Sequence, residues 1–197
     1  RTVFALESYI GLVEAGVGLL PAGGGLKEIA VRAGLNPPNG DVFAGLKPYF
    51  EAVAMAKVSG SALEAKELKL ARDSDLVVFN AYELMHVAKA QARAMAESSY
   101  RAPVAPKAVP VAGSIGIATF KMMLVNMQAG GFISDHDMEI ATRIAIVLCG
   151  GDIDRGSLVD ENWLLELERE HFVALALMPK TQERIAHMLK TGKPLRN

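Results

Sequence analysis

The chain has little of what marks a secreted, membrane-spanning or nucleic-acid-binding protein. Cysteine occurs once in 197 residues, at Cys149, so an internal disulfide framework is excluded and a reducing compartment is expected. The net charge is −1, which offers no basic surface to nucleic acid or to an acidic membrane. No signal peptide precedes the first strand-like run, and the apolar runs are shorter than the ~20 residues of a membrane span. We therefore expect a cytoplasmic protein with no nucleic-acid partner and no membrane span.

What the chain does have is apolar content, 51% of its residues, which is ample for one buried core. β-Branched and aromatic runs predict strands over residues 2–6, 8–10 and 76–79. Apolar spacing and capping residues predict helices over residues 26–33, 41–57 with a break or bend near Pro48, 61–70, a long one from 80, then 114–128, 134–148, 158–177 and 179–190. The chain thus changes from strands and loops to helices along its length.

One carboxylate, Glu14, lies in a glycine-rich apolar stretch, residues 11–25. In such a setting a carboxylate can exchange a proton near neutral pH, and the glycines let a ligand approach the backbone closely. Exposed N–H groups where Gly23, Gly24 and Gly25 enter the next helix can hold a water, a carbonyl oxygen or a phosphate. A tight turn carrying a solvated acid is the alternative.

The stretch from Glu14 to Gly25 resembles the Pro-Glu-xxx-Gly-xx-Pro-Gly-xx-Gly segment of the crotonase superfamily, the enoyl-CoA hydratases and isomerases. Residues 61–65 with 75–78 are similar to a following helix and strand of that family, and residues 181–195 resemble its closing helix and Lys-Pro tail. The first loop and the tail are most similar to the crotonase unit of bifunctional 3-hydroxyacyl-CoA dehydrogenase/enoyl-CoA hydratases. Val13 and Ala22 depart from the family pattern, which has Pro and Gly there.

The resemblance implies an α/β fold, the second half of a crotonase-like ββα spiral followed by a predominantly helical C-terminal portion. Residues 1–101 would be the C-terminal part of the crotonase-like core, with an insertion near 35–50. Residues 102–197 would be the helical portion, forming one structural unit with that core.

The resemblance also implies hydration of 2-enoyl-CoA to 3-hydroxyacyl-CoA in fatty acid β-oxidation, a lyase activity. Glu14 would be the catalytic residue, and the substrate would contact Gly18, Leu19, Pro21, Ala22 and Gly23. The family's second catalytic Glu and its oxyanion-hole N–H groups would lie before Arg1, so we expect the chain to need that missing N-terminal part as a partner and to be inactive alone. Two alternatives remain: double-bond isomerisation by Glu14 alone, and a non-catalytic helical interaction module.

The same resemblance implies a CoA thioester substrate, no cofactor bound by this segment, NAD bound only by an upstream dehydrogenase domain, and assembly into a homo-oligomer. Gly16-Val-Gly18 is a poor dinucleotide fingerprint, because Pro21 occupies the third glycine position. No metal site is expected, since Ser134 and Asp137 form a capping box more simply than residues 135–137 form a ligand set. Three methionines at helical spacing could line an acyl pocket, or lie in the core or a subunit contact: Met122, Met123 and Met127.

Overall fold

The computed structural model describes all 197 residues and is predominantly helical. Eight α-helices occur in chain order: α1 (Gly25–Leu35), α2 (Val42–Ala54), α3 (Ala62–Glu67), α4 (Leu84–Glu97), α5 (Gly113–Ala129), α6 (Asp135–Leu148), α7 (Glu161–Ala176) and α8 (Pro179–Thr191). Four short strands accompany them: β1 (Val3–Ala5), β2 (Leu76–Val78), β3 (Val109–Pro110) and β4 (Leu158–Val159). Short 3-10 helices span Glu14–Val17, Pro38–Gly40 and Ala81–Glu83. None of the helices combines the length and the apolar character needed to cross a bilayer.

The expected α/β fold is wrong. The strands are two or three residues long and form two separate two-stranded sheets, β1 with β2 in parallel and β3 with β4 antiparallel. The predicted strand over residues 8–10 does not form, and the predicted helical segments at 26–33 and 114–128 extend slightly at their ends. A crotonase-like ββα spiral needs repeated strands to build its sheets, and this chain supplies no such repeat.

The chain divides into two compact units, the first made of Arg1–Gly11 and Val58–Ala105. In it, β1 and β2 pair with Val3 opposite Leu76, and α3 begins at the N-cap Ser61, whose hydroxyl accepts the N–H of Glu64. The Asp75 carboxylate accepts the N–H of Thr2, which holds the start of β1. The sheet of this unit has only three paired positions.

The second unit comprises Leu12–Lys57 and Pro106–Asn197 and contains the large apolar core. Helices α1, α2, α5 and α6 pack on one another and bury side chains such as Leu26, Leu46, Phe120 and Ile144 completely. The Phe50 and Phe120 rings stack with centroids 4.0 Å apart. The glycine-rich stretch at residues 12–25 belongs to this unit, so α6, α7 and α8 determine its surroundings. The predicted boundary between a first part at residues 1–101 and a helical part at residues 102–197 stays a prediction.

Capping residues account for where several helices begin. Ser134 and Asp137 form the predicted capping box at the start of α6, each side chain bonded to the other's backbone N–H. Asp41 accepts the N–H of Phe43 at the start of α2. That helix continues through Pro48, so the break, one of the two outcomes predicted there, does not occur. Pro179 occupies the first turn of α8, where a missing N–H costs no hydrogen bond.

Candidate functional site

The Glu14 segment is a short 3-10 helix closed by its own backbone hydrogen bonds. Glu14 is its first residue, and Gly18 ends it with φ 88°, a left-handed conformation that favours glycine. The N–H of Leu19 donates to the carbonyl of Glu14 at 3.0 Å, and the N–H of Gly18 donates to that of Ala15 at 3.1 Å. The turn therefore presents the Glu14 side chain from a fixed backbone.

One carboxylate oxygen of Glu14 is buried without a hydrogen-bond partner. Its Oε2 atom is shielded from solvent and has no hydrogen-bond partner in the chain, although the residue as a whole is partly exposed. A buried acceptor without a donor costs about 1–3 kcal/mol. This oxygen is therefore an unsatisfied buried acceptor, which sets Glu14 apart from the other groups of the loop.

A buried hydrogen-bonded chain fixes the end of the Glu14 turn. The Thr181 hydroxyl donates to the Gly18 carbonyl at 2.8 Å, and His136 Nε2 lies 2.9 Å from the same hydroxyl oxygen. Because the single hydroxyl proton goes to Gly18, the His136 ring must be the donor through Nε2–H. Burial lowers the pKa of His136, and the nearby charges of Arg184 and Lys180 lower it further, so the neutral ring is favoured. Helices α6 and α8 thus hold the turn in place.

The start of α1, where Gly24 is the N-cap, is already occupied by a carboxylate from α7. Glu168 is fully buried and accepts the N–H of Gly24 at 2.9 Å and the N–H of Lys27 at 2.6 Å. Burial raises the pKa of Glu168 above its ordinary value, while hydrogen bonds from these N–H groups act in the opposite direction. Of the three glycine N–H groups that the motif offered to a ligand, that of Gly24 is therefore used inside the protein.

The five residues expected to contact substrate differ in how accessible they are. Gly18 and Pro21 are buried, Leu19 and Ala22 are partly buried against the core, and Gly23 is exposed with open space around it. All five follow Glu14 closely in the sequence, in the stretch between Glu14 and the start of α1. Their role in binding stays a prediction.

An ion pair that the sequence analysis missed holds the C-terminus of the chain. Arg184 of α8 is fully buried and donates to Asp137 Oδ1 at 2.8 Å, and Arg196 donates to the same oxygen at 2.8 Å. Arg184 also donates to the Asn197 side chain at 2.8 Å. Desolvation opposes ionisation of Asp137, but the hydrogen bonds from Arg184 and from the N–H of Ser134 keep its pKa below the usual value. The capping-box motif identified Asp137 but gave no sign of its arginine partners.

The single cysteine is not a nucleophile. Cys149 follows α6, is fully buried, and burial raises the pKa of its thiol to about 12. It contributes to the core as a small apolar residue. No group of three or more histidine, cysteine, aspartate or glutamate side chains is placed to hold a metal ion.

The chain is similar along its whole length to a probable 3-hydroxyacyl-CoA dehydrogenase of Bacillus subtilis (strain 168), with 44% identity over 200 residues. It spans 25% of the length of that relative. No protein-family profile matches the chain.

The similarity overturns the predicted hydratase activity. The relative is named as a dehydrogenase, an oxidoreductase, whereas a hydratase is a lyase. The isomerase alternative relied on the same crotonase fold, and the helical structure with its two small sheets does not provide that fold. The resemblance was to bifunctional dehydrogenase/hydratase proteins, and of these two activities the similarity supports only the link to 3-hydroxyacyl-CoA dehydrogenases.

Proposed function

We propose that this chain is a segment of a protein that oxidises 3-hydroxyacyl-CoA thioesters in fatty acid metabolism. The observation that carries the proposal is 44% identity, over the full length of the chain, to a probable 3-hydroxyacyl-CoA dehydrogenase. In this reaction the C3–H bond of the substrate breaks and its hydride reduces NAD⁺. The C3 hydroxyl loses its proton, and the C3–O bond becomes a carbonyl.

The segment's part in this activity is on the substrate side. Dinucleotide-binding folds place the pyrophosphate at the edge of a parallel sheet of several strands, and the only parallel pair in this chain has three residues in each strand. We propose that the rest of the protein binds NAD, and that these residues contribute to the acyl-CoA site. A homo-oligomer and a cytoplasmic location are part of the same proposal, the latter supported by the single buried cysteine.

Glu14 is the proposed catalytic residue of the segment. Its shielded Oε2 lacks a donor, and the C3 hydroxyl of a 3-hydroxyacyl group is a donor that would supply one. A carboxylate in that position would orient the hydroxyl and accept its proton as the hydride leaves. We propose that the residues after it in the loop contact the substrate: Gly18, Leu19, Pro21, Ala22 and Gly23.

The test uses the complete protein that contains this chain. NADH formation is followed by absorbance with 3-hydroxybutyryl-CoA and with 3-hydroxydecanoyl-CoA as substrates. We expect NAD-dependent oxidation, and Glu14→Gln should lower kcat/KM by about 10²- to 10⁴-fold. Glu166→Gln is the matched control, because Glu166 is exposed on α7.

Two outcomes would contradict different parts of the proposal. If the complete protein oxidises neither substrate with NAD, the dehydrogenase function is wrong. If it oxidises them and Glu14→Gln has the kcat/KM of the wild type, the function stands and Glu14 has no part in the chemistry.

A further inference from the structure

Helix α5 is apolar on both of its faces, whereas a surface helix normally has one apolar stripe and a polar opposite face. Its inner face is buried in the core of the second unit through three large side chains: Ile117, Phe120 and Leu124. Its outer face carries four exposed apolar residues, which we call the outer seam: Ile115, Ala118, Met122 and Val125. Three of them are more than half exposed, at 59% for Ile115, 62% for Met122 and 51% for Val125. The outer seam is therefore a continuous apolar surface that faces solvent.

The methionines of α5 separate into two groups, which decides between the alternatives that their spacing left open. Met123 and Met127 are partly buried and pack against the core. Met122 lies between them in the sequence of the helix turn but belongs to the outer seam, with most of its surface in solvent. The position of Met122 agrees with a subunit contact and does not agree with a core residue.

The spacing of the outer seam matches a second copy of the same helix. Its residues are separated by three, four and three positions, which is the a and d spacing of helices that pack along one another. This order is the same in both directions, so two antiparallel copies match at all four positions about a twofold axis. Ile115 of one copy then lies opposite Val125 of the other, and Ala118 lies opposite Met122, a small side chain against a large one. Such self-complementarity is the requirement for an isologous dimer contact.

The charges beside the outer seam favour a protein partner over a membrane. Lys121 is the one charged residue of α5, whereas helices that lie on membranes carry several Lys or Arg residues on their polar face. Lys121 lines a shallow hollow of about 220 Å³ together with Ala118 of the seam and the exposed Asp152. In the antiparallel pair the two Lys121 side chains approach the twofold axis, and an Asp152 carboxylate beside each of them offsets their repulsion.

We infer that the outer seam binds a second copy of this chain through an antiparallel contact between the two α5 helices. The seam is about 15 Å long at 1.5 Å per residue, so the contact belongs to the small and reversible class of interfaces. The inference names the surface of the homo-oligomer proposed above and rests on that part of the proposal. It does not depend on the dehydrogenase activity.

The test follows the mass of the complete protein that contains this chain, by sedimentation velocity over a dilution series. Met122→Glu places a charge in both halves of the contact and should raise the dissociation constant about tenfold or more. Met85→Glu makes the same change on α4, at a methionine that is 66% exposed, and should leave the dissociation constant unchanged. A wild type that is monomeric throughout the series would overturn the inference. Equal dissociation constants for wild type and Met122→Glu, or equal effects of the two variants, would also overturn it.

A second pair of variants tests the matching of side chains across the seam. Ala118→Met sets two large side chains opposite each other and should weaken the association about tenfold, because overpacking is destabilising. Adding Met122→Ala restores a small residue opposite a large one and should bring the dissociation constant to within about threefold of the wild type. A double variant that is no tighter than Ala118→Met would show that the two copies are not matched in this way. Circular dichroism checks that every variant is folded.

Disulfide cross-linking tests the antiparallel orientation. Chains with Ala118→Cys mixed with chains that carry Met122→Cys should form a disulfide between these two positions on mild oxidation with diamide, as peptide mass spectrometry would show. Ile115→Cys alone should not cross-link to its copy, because the two positions would be about 15 Å apart along the helices. The buried Cys149, whose thiol pKa is raised to about 12, does not compete in this chain. Cross-linking through position 115, without any between 118 and 122, would overturn the antiparallel arrangement.

The result separates this inference from the proposed function. NAD-dependent oxidation of 3-hydroxybutyryl-CoA by a protein that stays monomeric would remove the α5 contact and leave the dehydrogenase. Association that Met122→Glu weakens, in a protein without that oxidation, would remove the dehydrogenase and leave the contact.

Discussion

The strongest prediction concerns Glu168, the carboxylate that α7 places at the start of α1. Glu168→Ala removes the acceptor of the Gly24 and Lys27 N–H groups and leaves both without a protein partner. The Glu168 side chain is fully buried, so in the native structure these two N–H groups bond to its carboxylate and not to water. The substitution therefore tests whether this internal cap, rather than the glycines alone, determines where α1 begins.

The cost can be worked out from the contacts. A hydrogen bond to a charged group contributes about 1.5–3 kcal/mol, and a carboxylate near a helix N-terminus contributes about 0.3–1 kcal/mol more through the helix dipole. Two such bonds give a loss of about 3–6 kcal/mol. Two effects offset part of this loss of stability. The variant no longer buries a charge, and water can reach the partly exposed Gly24 and Lys27. We expect a loss of about 3 kcal/mol, against a total stability of about 5–15 kcal/mol for a typical domain.

Urea unfolding followed by circular dichroism measures this loss as a lower midpoint with an unchanged slope. Glu166→Ala, on the exposed side of the same helix, should change the free energy of unfolding by less than about 0.5 kcal/mol. Added formate should restore part of the midpoint of Glu168→Ala, because a small carboxylate can occupy the vacated position. A free energy for Glu168→Ala within about 0.5 kcal/mol of the wild type would refute the reasoning.

Three further predictions concern the groups that hold the loop and the C-terminus. Thr181→Val removes the hydroxyl between His136 and Gly18 and should lower the free energy of unfolding by about 1–3 kcal/mol, whereas Thr181→Ser should cost less; equal urea midpoints for the two variants would contradict this. Gly18→Ala places a Cβ 3.0 Å from the Thr181 Cα at a φ of 88°, so we expect a loss of about 1–3 kcal/mol, and an unchanged thermal midpoint would argue against it. Asp137→Asn leaves the buried Arg184 without its carboxylate and should cost about 3–5 kcal/mol at neutral pH. Because the folded-state pKa of Asp137 is lowered from 3.8, its contribution is complete above that pH and is lost as the pH falls through the folded-state value. The stability difference between wild type and Asp137→Asn, measured by urea unfolding at several pH values, should therefore shrink in acid, and a constant difference would contradict the assignment.

Local signals in the sequence were sufficient for most of the helices. The capping box of Ser134 and Asp137, the N-cap Ser61 and Pro179 act at the starts of predicted helices. Asn80 instead caps the 3-10 helix Ala81–Glu83, which precedes α4. Each of these signals works within three or four residues, so a single sequence contains all of the information needed.

The strands show where that information ends. Residues 2–6 and 76–79 have the composition of strands, yet only three residues of each pair, and residues 8–10 pair with nothing as a strand. β-Branched and aromatic residues fit well into a sheet, but whether a sheet forms depends on partner strands far away in the sequence. The resemblance to the crotonase superfamily implied such partner strands, and the structure does not contain them.

The candidate site divides in the same way. Glu14 was identified because glycines and apolar residues surround it in the sequence, and its shielded oxygen keeps it a candidate. Glu168 and Thr181 were missed because each contacts the loop across more than 140 residues of sequence, and no local pattern marks such a pair. Arg184 was missed for the same reason, since its partner Asp137 is 47 residues away.

These long-range contacts determine which hydrogen-bonding groups of the loop already have a partner inside the protein. The N–H groups of Gly24 and Lys27 are bonded to Glu168, and the Gly18 carbonyl is bonded to Thr181, so none of these three groups is available without breaking an internal hydrogen bond. Glu14 Oε2 is different, because no group of the chain bonds to it. A ligand that supplies a hydroxyl at that oxygen gains a hydrogen bond without displacing an internal one, whereas a phosphate at the glycines would have to compete with Glu168. The loop is therefore poorly suited to a phosphate at the Gly24 N–H group, because that donor is already bonded to Glu168.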